Sequence, residues 1–145
     1  MPIKIPPQSV INLQMIEAGV SGPDGANRLF TITGMADCGV SANAPGPNNS
    51  ATQQQTFSVL VGPQLTRRQF ISAIGVASLS RFHFFNNPAS SNFSVNAVDA
   101  DWDDESGQVE LRVEIEVFVA GASGSGVQIS RFGFQVTILA EFAAA

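Results

Sequence analysis

The chain has 145 residues, with seven Lys and Arg, twelve Asp and Glu and a single His, for a formal charge of -5. That length suits one domain able to bury roughly two thirds of its unfolded surface without staples. So few scattered basic residues exclude a nucleic-acid partner, which needs clustered cations, and one cysteine, Cys38, excludes an internal disulfide and a Cys-built zinc cage.

The first residues, Met1-Pro2-Ile3-Lys4-Ile5-Pro6-Pro7, hold three prolines that forbid a helix and deny ladder donors. The expectation is an extended arm over 1–9, with Ile3, Ile5, Pro6 and Pro7 laid on a neighbouring subunit. The same stretch has no basic region followed by an apolar run of signal-peptide length. Ile11, Leu13 and Met15 then alternate with Asn12 and Gln14, predicting a strand that ends in the turn signal Ser21-Gly22-Pro23-Asp24-Gly25, with residues 28–35 as its hairpin partner. Residues 41–55, rich in Asn, Pro and Gln, read as a long functional or disordered loop. Phe57, Val59 and Val61 resume the alternation.

Thr66 with Gln69 matches a capping box, and Phe70, Ile74 and Ala77 sit at helical spacing, but Gly75, Val76 and several serines oppose a helix. The reading is a turn or short helix near Thr66 and strand from about Gly75. Thr66-Arg67-Arg68 resembles a twin-arginine export signal, too far along the chain to act as one, and no segment is long and apolar enough to cross a bilayer as a helix. Asn86-Asn87-Pro88 turns the chain.

The clearest signal spans residues 93–119. Val109, Leu111, Val113, Ile115, Val117 and Val119 fall on one face and Glu110, Arg112, Glu114 and Glu116 on the other, the period of a half-buried strand. After a flexible Gly/Ser tract at 120–126, a last strand runs from Val127 to about Leu139. Its apolar parity changes from Val127 and Ile129 to Phe132, Phe134, Val136 and Ile138, which requires a β-bulge near Ser130 and Arg131. The whole predicts an all-β fold, a single antiparallel β-sandwich or jelly-roll-like domain over 10–140. Residues 141–145, Glu-Phe-Ala-Ala-Ala, read as a tail of the kind adjacent cloning sites encode.

Chemistry is sparse. Asp99, Asp101, Asp103 and Glu110 match the first, third, fifth and twelfth positions of a calcium loop, and a hard cation wants such oxygens. Asp104 stands where that loop needs glycine, and the flanks alternate as strands. A solvated acidic tip, with Asp104 and Glu105, is the simpler reading. His83 is the one imidazole, set between Phe82 and Phe84 and so directed away from them. Ser123 lacks the glycine a nucleophile elbow requires, no phosphate-cradling glycine motif occurs, and Asn48 and Asn92 head formal glycosylation sequons that matter only in an exported protein. One Trp and no Tyr make a poor stacking surface. Trp102, beside the acidic turn, is better placed to close the end of a core, and Cys38 reads as a small buried thiol.

These readings converge on a non-catalytic structural protein without a cofactor. It would act by self-association as a homo-oligomer, made in the cytoplasm and assembled into a particle or appendage, with no membrane insertion. The alternative is a small glycan- or calcium-binding module using the 41–55 loop or the acidic hairpin.

Overall fold

The computed structural model describes residues 1–20, 27–46 and 49–142. Among them eight strands form: β1 (Ile3–Lys4), β2 (Val10–Val20), β3 (Asn27–Asn43), β4 (Asn49–Val61), β5 (Phe70–Phe85), β6 (Ser90–Trp102), β7 (Val109–Gly121) and β8 (Gly126–Glu141), with one 3-10 turn at Pro7–Ser9. No helix among the described residues is long and apolar enough to cross a membrane. The turn expected at 21–25 lies outside the described residues.

The strands make two four-stranded sheets, in the order β1-β4-β7-β6 (sheet A) and β2-β3-β8-β5 (sheet B). Every pairing is antiparallel except that of β1 with β4. From β3 to β6 the chain alternates between sheets, and β3 pairs with β8 while, nested inside, β4 pairs with β7. That wrapping is the jelly-roll arrangement, and it lets each sheet cover the other's apolar face.

The six apolar residues of β7 from Val109 to Val119 are all fully buried. They meet Phe30 and Ile32 of β3 and Ile129, Phe132, Phe134, Val136 and Ile138 of β8 in one core. The sheets approach closely over β5. A Cβ on Gly75 would stand 2.7 Å from Leu111 Cδ1 and 3.5 Å from Ala100 and Val98, so only glycine leaves room for β7 and β6 there. Phe82 and Phe84 meet Phe93 edge-on at 5.0 and 5.7 Å and close the sandwich between β5 and β6.

The parity change in β8 falls where expected. Asp37 pairs with Arg131 and Val40 with Ile129, so β3 carries an extra residue across the step, while β5 keeps pace with β8 there, with Arg81 at φ 58°. Three readings are corrected. The 41–55 segment is mostly strand: β3 ends at Asn43 and β4 begins at Asn49. Its polar composition belongs to the free half of an edge strand, since β1 covers β4 only at Phe57 and Ser58 while β7 supplies the backbone partners of 49–55. The Thr66–Gln69 box does close, with Thr66 N–H donating to Gln69 Oε1 at 2.9 Å and Gln69 N–H to Thr66 Oγ1 at 3.3 Å. It caps a single turn, because pairing with β8 takes over at Phe70, ahead of Gly75. Finally, Glu141 ends β8 and Phe142 packs edge-on against Phe30 at 6.3 Å, so the 141–145 tail begins inside the domain; 143–145 lie outside the described residues.

Candidate functional site

The acidic hairpin brings its carboxylates to one end of the outer face of sheet A. Cross-strand register sets Asp101 opposite Glu110 and Asp99 opposite Arg112, around a depression of about 200 Å³ that Asp103 and Trp102 also line. Three of the four acids are already engaged. Asp103 accepts from the Ser106 amide at 3.1 Å and its hydroxyl at 2.7 Å. Those Ser106 bonds, with smaller help from the charges of Lys4 and Arg112, hold the Asp103 carboxyl below the usual range. Asp101 accepts from the Trp102 amide at 2.8 Å, and Arg112 is ion-paired to Glu110. Among the described residues no three His, Cys, Asp or Glu side chains converge as a metal's ligand set. Trp102 donates from Nε1 to the Leu65 carbonyl at 2.9 Å, beneath the Arg67 guanidinium, which ties its ring to the end of the core.

The arm lies on its own chain. Ile3 and Lys4 add to β4 opposite Phe57 and Ser58, the Ile5 amide donates to the Ser58 carbonyl at 2.9 Å, and Ile5 is buried in the core. Pro6 and Pro7 stay exposed and lead into the 3-10 turn. With Ile5, Val10, Leu13 and Leu60 they wall a cavity of about 280 Å³ whose rim carries Lys4, Asp103 and Glu110.

His83 faces outward, its Nε2 3.3 Å from Ser130 Oγ. Among the described residues no carboxylate hydrogen-bonds the ring, so the pair lacks the orienting group a nucleophile–base set uses. Ser123 stands exposed in the 122–124 turn. The half-buried Cys38 thiol is pushed up to about 11, by burial first and the Asp37 charge second, which keeps it protonated and unreactive at neutral pH.

What the sequence reading missed is the outer face of sheet B. Four rows cross all four strands there: Ala18–Leu29–Leu139–Ser72, Ile16–Thr31–Thr137–Ile74, Gln14–Thr33–Gln135–Val76 and Ile11–Met35–Gly133–Ser78. None of these residues is charged. Ile16, Ile74 and Val76 are 68%, 72% and 58% exposed, and the rows end at the Asp37–Arg131 ion pair, 2.8 Å long. The signal was in β5, where Ile74 and Val76 alternate with Ala73, Ala77 and Leu79, so that both faces are apolar. A strand with one wet face does not need that.

No family model matches the chain, and no curated protein or solved structure matches it significantly.

Proposed function

We propose that the protein is a non-catalytic structural subunit that works by self-association, a building block of a particle or appendage. The observation that carries this reading is the outer face of sheet B, where exposed isoleucine and valine stand among neutral Thr, Gln and Leu with no charge to repel a partner. The largest exposed apolar patch on a protein surface is often a functional one. The edge strands β2 and β5 bound the same face, and long edges with few charges favour association. Sedimentation of the full chain over a wide concentration range tests the reading. A mass that rises with concentration is expected; a constant single-chain mass throughout would contradict it.

The second reading, a calcium- or glycan-binding module, draws on the depression lined by Asp99, Asp101, Asp103 and Glu110. Its chemistry is weakened by the Arg112 that shares the site and by the bonds Asp103 already accepts.

A further inference from the structure

Resting on the self-association reading, we infer that the occupant of sheet B's outer face is a second copy of this chain, packed face to face about a two-fold axis that runs through the row Ile16–Thr31–Thr137–Ile74. The row is self-complementary. Isoleucine stands at both ends, on the edge strands β2 and β5, and threonine at both inner positions, on β3 and β8. A two-fold in the interface plane therefore sets isoleucine on isoleucine and threonine on threonine, the condition for a closed dimer rather than an open fibre. Sheets that stack this way interdigitate across about 10 Å with strands within roughly 30° of parallel.

The area suffices. Four strands at about 4.8 Å spacing and nine residues, from Ser72 to the bounding row of Ser80, Arg131 and Asp37, at about 3.4 Å each give a patch of about 590 Å² in projection, of which the four uncharged rows make up most. Two such patches exceed the roughly 1,000 Å² that marks a specific interface. The patch also has relief, since Gly133 and its neighbours Met35, Val76 and Ser78 line a shallow depression of about 530 Å³ beside the isoleucine row, which a protruding side chain of the facing copy would fill. Charge argues for a copy over a different protein partner. The four rows hold no charge for a partner of opposite sign to recognise; they are bounded at one end by the internally neutral Asp37–Arg131 pair and at the other by Glu141, opposite Asn27. Sheet A's outer face could not pack on itself, because Asp99, Asp101, Glu110, Glu114 and Glu116 would meet their own kind.

The test measures mass against concentration for the full chain and three variants. Ile74→Lys and Thr137→Arg each place a charge in the stacked row, and Glu114→Lys alters sheet A's outer face as a control. The expected result is a wild type and control that reach twice the single-chain mass, with association of both row variants weakened on the order of 100-fold, the effect of burying an unpaired charge. Thermal unfolding confirms that the row variants fold, and Val76→Lys replaces either one that does not. A wild type that doubles while every row variant doubles equally overturns the two-fold stack and leaves self-association standing through another surface. Loss of the dimer in the Glu114→Lys control overturns it as well. A wild type that stays single at all concentrations overturns both this inference and the reading beneath it.

Discussion

The two outer faces of this sandwich stand on equally apolar inner faces and yet differ in charge. Sheet A turns Glu110, Glu114, Glu116, Asp99 and Asp101 outward, with Arg112 among them. Sheet B shows water Ile16, Ile74, Val76 and a field of Thr and Gln. Core burial dictates what a strand places inside, but nothing in folding requires the outside of one sheet to be acidic and of the other neutral. Under the proposed reading the asymmetry has a use: the charged face would oppose stacking, while the neutral face is free to be covered.

The comparison sharpens first inside. Val113 of β7 and Phe134 of β8 face each other's sheets at 0% and 5% exposure, so Val113→Asp and Phe134→Asp should each abolish cooperative unfolding, at a cost above about 4 kcal/mol. Circular dichroism melts check this. A melt retained in one variant alone would mean the inner faces are unequal too. Next in size is the arm. Because Ile5 is buried and β1 covers the edge of β4 beneath it, removing residues 1–7 should cost about 2–4 kcal/mol, a buried isoleucine with its packing. An unchanged denaturant midpoint would return the arm to a partner-binding role.

Smaller effects belong to the acidic face. Asp101→Asn and Asp103→Asn should shift the melting temperature little, and millimolar calcium should do no more than magnesium. Calcium-specific stabilisation lost in those variants would make sheet A's face a binding site. Since the fold lowers the Asp103 pKa below 3.8, its contribution is present above that pH and fades as pH falls through the folded value, a sign opposite to that of Cys38. The unfolded thiol ionises near 9 while the folded one holds its proton to about 11, so stability declines as pH rises across that interval. Alkylation at neutral pH should run on the order of 100-fold slower than for a free cysteine.

Much of the fold was legible because alternation is a physical necessity at the centre of a sandwich. The β6–β7 hairpin, the buried face of β7 and the bulge near Ser130 follow from which residues must leave water. The periphery was less legible for the same reason. Gln53 and Gln54 stay exposed at a free edge, so a polar strand there looks like a loop, and β2 faces an opposing sheet whose border is only two residues long, leaving Leu13 and Met15 about half exposed. The candidate surface was hidden in a different way. Period-two reasoning assigns one face to the core and the other to water, and β5 meets neither rule because Ile74 and Val76 are apolar on the face turned away from the core.

Oxidative footprinting of the full chain at low and high concentration tests the central claim most directly, since it reads side-chain exposure on both faces in one sample. Labelling of Ile16, Met35 and Ile74 should fall as concentration rises while Leu60 and Phe118, on sheet A's outer face, stay constant. Equal labelling of both faces at every concentration, or protection confined to Leu60 and Phe118, would contradict the account.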